Sequence, residues 1–359
     1  MFTRTPRLEI YTDRIGTNAR IIINLCRAHG AQVACVTKVM GAHPAILQAL
    51  EAAGADMIAD SRILNLQSIA NTGVMLPVLL LRSPAPSRVA DVIRCADYSL
   101  NSSLETIELL SQAAQLLKRS HKVIVMVDIG DLREGIWPDR VVSVVRKAAK
   151  LPRIEIVGLG ANLACFGGVI PTIENMQMLV DLRDACRKAT GLSLDLISGG
   201  NSANLPLLAS GGMPKEINHF RIGEAITLGR NVLDRSPWPG THQDTIRVVA
   251  EVIEVERKPS IPIGARAQDA FGGHVEFVNR GIRKRALCNI GRQDVVVDGI
   301  VPEDKGIIVL GGSSDHLVLD VEEAEHEVRI GDEVGFFPTY GSLLAATTSP
   351  YMQKVVIKD

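Results

Sequence analysis

Eight short, β-rich apolar runs alternate with longer amphipathic stretches between residues 33 and 220, and few folds accommodate that rhythm. The runs are Val33–Thr37, Asp56–Ala59, Val78–Leu81, Asp97–Leu100, Lys122–Val127, Ile154–Gly160, Leu194–Ile197 and Ile217–Phe220. Between them lie His43–Ala53, Ser103–Lys118, Pro138–Lys150 and Pro171–Thr190, with apolar residues at i, i+3 and i+4. Near-continuous apolar strands separated by helices indicate a parallel sheet covered on both faces. An open doubly wound sheet and a closed (β/α)8 TIM barrel share this local pattern. The count of eight favours closure, since such a barrel occupies roughly 250 residues.

The rhythm stops near Ser236-Pro-Trp-Pro-Gly240. Beyond it come Thr245–Val255, Ala286–Ile290, Gly306–Leu310, Leu317–Val321 and Glu333–Phe337, punctuated by glycine. The expected division is a barrel over residues 1–240, with residues 1–12 as a leading strand, and a smaller all-β domain over 241–359. Charges are interspersed and sum to −1, with no basic block, which argues against nucleic acid or an anionic membrane as partner. Six cysteines show neither paired nor disulfide-like spacing and read as reduced thiols of a cytoplasmic protein. Neither a signal peptide nor a membrane-spanning stretch is evident.

A barrel presents its chemistry at the C-terminal ends of its strands. The first apolar run ends in Lys38, the third at Arg82, the fifth at Asp128 with Arg133 close behind, and the sixth at Asn162. The seventh runs into Ser198-Gly-Gly-Asn-Ser202 and the eighth into Arg221-Ile-Gly223. The last two turns are either ordinary glycine turns or a phosphate cradle, because glycine lets backbone N–H groups approach an anion closely. A lysine ending an apolar strand is either a solvated strand end or a desolvated amine able to attack a carbonyl. Lysine and cradle together suggest a Schiff-base aldolase acting on a sugar phosphate, or a pyridoxal-phosphate enzyme.

Further residues narrow the choice. Val36-Thr-Lys38, Asp128-Ile-Gly130, Arg133-Glu-Gly135, Cys165-Phe-Gly-Gly168, Arg221-Ile-Gly-Glu224, Gly291-Arg-Gln-Asp294, Ser313-Ser-Asp-His-Leu317 and Ser349-Pro-Tyr351 join the glycine turn. Together they resemble the alanine racemase superfamily, the fold-type III pyridoxal-phosphate enzymes, and most of all its ornithine racemase branch. The resemblance implies a homodimer that binds pyridoxal 5'-phosphate and interconverts L- and D-amino acids, ornithine or a related basic one. Lys38 would hold the cofactor as a Schiff base and act as a base on one face of the substrate. Asn201, Ser202, Ile222, Gly223 and Tyr340 would bind around the phosphate. Arg221 would face the pyridine nitrogen and leave it unprotonated, because an arginine does not readily give up its proton. Arg133 would support the ring oxygen and the substrate carboxylate. Asn162 stands where related enzymes carry a ring-stacking histidine.

The largest departure falls in the second domain. The family's second base is a partner-donated tyrosine in Gly-Tyr-x-Asp, and here the segment is Gly291-Arg292-Gln293-Asp294. A guanidinium is a poor base, so Arg292 is assigned to a carboxylate, and Asp315 and His316 become candidates for the second proton transfer. His43 is a further candidate. Asp315 also suits a distal ammonium. Decarboxylases of the same fold carry a partner-donated cysteine motif that does not match around Cys288. Zinc-assisted dehydratases and aldolases use a metal pair that Asp315-His316-Leu317-Val318 does not supply, so no metal is expected. A non-catalytic cofactor carrier would lack the second domain.

Overall fold

In the computed structural model, which describes residues 4–274 and 276–358, the chain divides into two compact units. One is residues 12–243. The other joins residues up to Tyr11 with Asp244 onward.

The larger unit is a closed barrel of eight parallel strands. These are β2 (Gln32–Val36), β3 (Met57–Asp60), β4 (Val78–Leu80), β5 (Tyr98–Asn101), β6 (His121–Val127), β7 (Ile154–Ala161), β8 (Leu196–Gly200) and β9 (His219–Ile222). β1 (Arg7–Tyr11) precedes them in the chain. Closure is made by β2 and β9, which pair with Val33 opposite Phe220 and Ala34 opposite Arg221. The helices are α1 (Thr12–Ala28), α2 (Pro44–Ala52), α3 (Ile63–Ile69), α4 (Val89–Cys95), α5 (Leu104–Leu116), α6 (Pro138–Ala148), α7 (Ile173–Thr190), α8 (Leu205–Ala209) and α9 (Glu224–Leu228). α1 packs against α2 and α9 and so covers the seam where the barrel closes.

Alternation along each strand sends every second side chain inward. Ala34, Met57, Ala59, Leu79, Leu100, Ile124 and Met126 pack into one buried cluster from β2 to β6. On β9, strict alternation puts His219 and Arg221 on one face, and Arg221 lies beside the clustered Ala34. The barrel interior therefore carries charge near the ends of β8 and β9, where a purely structural core would carry none.

The second unit is a sheet in the order β12-β15-β10-β11-β14-β13. Its strands are β10 (Ile246–Pro259), β11 (Ile282–Cys288), β12 (Ile300–Pro302), β13 (Ile308–Gly312), β14 (Leu317–Asp320), β15 (Glu333–Pro338) and β16 (Gln353–Ile357). One helix, α10 (Tyr340–Thr348), interrupts it. The leading strand expected within residues 1–12 exists as β1, but it does not join the barrel. It pairs antiparallel with β10 and parallel with β16.

The physical reason is the charge pattern of β1. Leu8 and Ile10 are buried on one face, and the other face carries Arg7 and Glu9, also buried. Among the described residues, the partners of those two charges lie in this sheet. Arg7 binds Glu333 of β15 in a two-pronged pair at 2.6 and 2.7 Å and donates Nε to Glu9 at 2.8 Å. Arg247 of β10 donates to Glu9 at 3.1 Å. Burial works against ionising Glu9, but Arg7 and Arg247 outweigh it and hold the carboxyl below the usual carboxylate range. Removing one partner of a buried pair strands the other charge, so Arg7→Ala is expected to cost about 3 kcal/mol at neutral pH. Because the folded carboxyl is depressed, this stabilisation is present above its unfolded pKa near 4.5 and is lost as pH falls through the folded value. Thermal melts at neutral and strongly acidic pH check this: the gap between wild type and Arg7→Ala should narrow in acid.

Candidate active site

Lys38 leaves the end of β2 at the start of a single 3-10 turn, Lys38–Met40, closed by Gly41 in the left-handed region. The residue before it is tied down twice. Thr37 donates its amide to Ala59 O and its hydroxyl to Asp60 Oδ2 at 2.9 Å, which fixes the backbone from which Lys38 projects. Asp60 is itself held by Arg62 N and Asn65 Nδ2. Burial pushes the Lys38 amine below its ordinary pKa. Cys165 opposes that shift and Arg133 adds to it. The result is an amine that reaches its neutral, nucleophilic form closer to neutral pH than a surface lysine does.

Arg133 sits in the loop after β6 and bonds to Cys165 Sγ at 2.6 Å while pairing with its neighbour Glu134. Cys165 belongs to the loop after β7, so this contact spans two loops. A buried carboxylate holds the same loops together. Asp131 accepts the amides of Cys165 at 3.3 Å, Phe166 at 2.9 Å and Val169 at 3.2 Å. Asp131 O also takes the amide of Gly167.

Arg221 is buried among acceptors. It donates to Ser198 Oγ, to Ala161 O at 2.8 Å and to Asn162 Oδ1 at 3.5 Å. Burial pushes its pKa down to about 10, with the Arg133 charge acting in the same direction and Glu134 against it. It stays a cation at neutral pH. The Asn162 amide nitrogen has no protein partner among the described residues and is a donor left over for a ligand.

The turn after β8 requires glycine: Gly200 has φ +141°, a conformation that L side chains rarely adopt. Asn201 then caps the turn Ser202–Asn204, accepting from Ala203 N at 2.8 Å and donating to Asn162 Oδ1 and Leu163 O. Its side chain braces the turn and has little left to offer a ligand. Ser202 Oγ accepts from Ala225 N at 3.3 Å, joining this turn to the start of α9. Ile222 ends β9, buried, and Gly223 caps α9 against Val36. His43 precedes α2.

Four of the expected residues belong to the second unit. Tyr340 opens α10. Arg292, Asp315 and His316 gather on one stretch of it, because Arg292 N binds Ser313 O and Gln293 N binds Ser314 O, both at 2.9 Å. Gly291 permits that approach: a Cβ there would lie 2.4 Å from Asp315 N. The Arg292 side chain donates Nε to Gly312 O at 2.9 Å and stacks 4.6 Å from the Phe271 ring centre. His316 Nδ1 lies 3.0 Å from Asp315 Oδ1, and both side chains are exposed. Ser314, then His316, hold the Asp315 carboxyl below the usual range.

Sequence reasoning missed Thr37, Asp60, Asp131, Ser198 as a partner of Arg221, and His219. Recurrent serine and histidine 21 or 22 residues apart on neighbouring strands was the one available clue, in Ser99 with His121 and Ser198 with His219.

A desolvated lysine, a buried arginine and a serine- and glycine-bounded turn at the strand ends of one barrel suit an enzyme whose lysine bonds to an anionic, carbonyl-bearing molecule. The chain matches the family of the alanine racemase N-terminal domain over residues 10–231, and it belongs to that family. It is 40% identical to the lysine racemase of Thermotoga maritima over 350 residues, 98% of each chain. It is 38% identical to the ornithine racemase of Acetoanaerobium sticklandii, covering 98% of this chain and 99% of that one. The fold is that of the alanine racemase of Corynebacterium glutamicum, with a TM-score of 0.75 at 17% identity over 99% of this chain and 100% of that one. The chain is a pyridoxal-phosphate-dependent amino-acid racemase. Its residues fit the cofactor: Lys38 would supply the amine, Arg221 a buried guanidinium, and the Asn162 amide nitrogen a buried donor with no partner among the described residues. Among the described residues, no helix is long and apolar enough to cross a membrane.

Proposed function

We propose that this racemase acts on ornithine and lysine, as a homodimer in the cytoplasm. The observation that carries the substrate reading is the near-full-length likeness to two racemases named for those basic amino acids. Asp315 supports it, since an exposed carboxylate kept ionised suits a distal ammonium. The cytoplasm is supported by six cysteines that are all free.

Bound pyridoxal 5'-phosphate supplies the electron sink that lets the α-hydrogen leave as a proton. Lys38 would hold it and would take or return a proton at Nζ on one face of the substrate. Ser202, with Ile222, Gly223 and Tyr340, would hold the phosphate end, and Asn201 would brace the turn that carries Ser202. Arg221 would donate to the ring nitrogen, and as a permanent cation it would not surrender its proton there. Arg133 and Arg292 would each offer a guanidinium to a carboxylate. The proton on the opposite face needs a second group. The Asp315–His316 pair fits, since a carboxylate 3.0 Å from Nδ1 orients an imidazole, a ring that can both accept and donate a proton. The family resemblance implies that this cluster serves the partner subunit's site.

The test is chirality. Cofactor-loaded protein is incubated with single enantiomers of ornithine, lysine, alanine, serine and arginine, and the products are separated by chiral chromatography. Ornithine and lysine should invert at least about tenfold faster than alanine, the discrimination expected of one satisfied charge pair. Carbon dioxide release in place of inversion would turn the reading to a decarboxylase, and a coloured protein that inverts nothing would turn it to a carrier.

A further inference from the structure

Two serine–histidine pairs link neighbouring strands of the barrel, and their surroundings differ. On β5 and β6, Ser99 Oγ meets His121 Nε2 at 2.7 Å, and the other ring nitrogen is satisfied by the backbone of Ala96. Ser99 lies next to Leu100, whose side chain belongs to the interior cluster, so alternation turns this pair outward to the helix layer. It is a satisfied structural pair.

On β8 and β9, Ser198 Oγ meets His219 Nδ1 at 2.8 Å, both side chains fully buried. A slip in register at Gly199 sets Ser198 directly opposite His219. Here Ser198 Oγ also receives Nη1–H of Arg221. The remaining ring nitrogen, His219 Nε2, has no partner among the described residues.

The directions of these bonds follow from pairing every donor. A guanidinium only donates, so the Ser198 oxygen accepts from Arg221. The hydroxyl proton then has one neighbour left to bind, His219 Nδ1. Taking that proton requires a lone pair on Nδ1 and places the proton of the neutral ring on Nε2, whereas the other tautomer would donate to the second lone pair of Ser198 Oγ and leave the hydroxyl proton without an acceptor among the described residues. A charged imidazolium would break the chain. Its Nδ1–H would leave the Ser198 hydroxyl proton without an acceptor and set a second buried cation beside the first. Arg221 is the charged group that bears on this ring, and burial, then Arg221, push the His219 pKa down to about 3.

We infer that His219 is a positioning residue. Held as the neutral Nε2–H tautomer, it takes the Ser198 proton and so makes Ser198 a fixed acceptor that aims the Arg221 guanidinium at the cofactor. The inference deepens the reading that Arg221 faces the cofactor and rests on it. A histidine satisfied at both nitrogens would serve packing alone. This one spends Nδ1 on Ser198 and leaves Nε2–H unpaired inside the barrel, a penalty that a purely structural residue has no reason to carry.

The experiment reads the tautomer directly. Holoenzyme labelled with 15N-histidine is examined by NMR, with His219 assigned by its disappearance in His219→Asn. The expected result is a proton on Nε2, a bare Nδ1, and no change from about pH 6 to about pH 9. A proton on Nδ1, or titration in that range, overturns the inference. Binding of pyridoxal 5'-phosphate to the apoprotein, followed by absorbance, gives a second readout. His219→Leu should raise its Kd roughly tenfold, whereas His219→Asn, whose side-chain oxygen can replace Nδ1 as acceptor, should stay within about threefold. Equal losses in both variants overturn it. A protein with the expected tautomer and ranking that inverts no amino acid would sink the racemase reading and leave the relay supported.

Discussion

Lys38→Ala should abolish inversion of ornithine and lysine, with a fall in kcat of at least about 1,000-fold, and should yield protein that loses its yellow colour on dialysis. One substitution removes both the group that would anchor the cofactor and the group that would move the proton. Lys38→Arg makes the sharper control, because it restores a cation of similar reach while offering no neutral amine at working pH. It should be as inactive as the alanine variant. The environment of Lys38 adds a pH prediction whose sign is set by its neighbours. Burial and Arg133 both favour the neutral amine, and Cys165 opposes them. Cys165→Ala removes an influence that raises the pKa, so the acidic limb of the rate profile should move to lower pH. Rates measured across pH in wild type and Cys165→Ala decide this. A limb that moves upward would mean that Lys38 is not the group being titrated.

The barrel was legible because parallel strands buried on both faces leave near-continuous apolar runs. Val33–Thr37 became β2 at Gln32–Val36, and Lys122–Val127 became β6 at His121–Val127. The placement of β1 was not legible. Which sheet a five-residue strand joins depends on partners more than two hundred residues away, here Glu333 and Arg247. α10 escaped notice because Gly341 and two threonines weaken its helical character, and it reads as one more glycine-broken stretch of a β domain. Lys38 and Arg221 stood out by position at strand ends, which the alternation of runs reveals. His219 was not found, because its meaning comes from the register that sets it opposite Ser198, and register between strands is not a local property. Asn201 stood out beside the glycines, and in the structure its side chain braces the turn.

Asp131→Ala should lower racemisation roughly 100-fold while moving the melting temperature only slightly, although this residue touches neither Lys38 nor any proposed substrate contact. Its carboxylate is buried, and among the described residues its bonds are to backbone amides of the loop after β7: Cys165, Phe166 and Val169. Water can reach much of that loop once the carboxylate is gone, so the cost to global stability is modest. The positional cost is larger. Arg133 lies two residues beyond Asp131, and its guanidinium bonds to Cys165 in the very loop that Asp131 holds. Releasing the clamp frees both ends of that contact, and a displacement of about 1 Å in a group that positions substrate can cost two orders of magnitude in rate. Asp131→Asn should be no milder, despite its equal size. Both carboxylate oxygens accept amides, and an amide NH2 in place of either would set donor against donor. Steady-state kinetics and melts of the two variants test the claim. Activity near wild type in Asp131→Asn would show that the loop holds its place without the second oxygen and that Arg133 is positioned by something else.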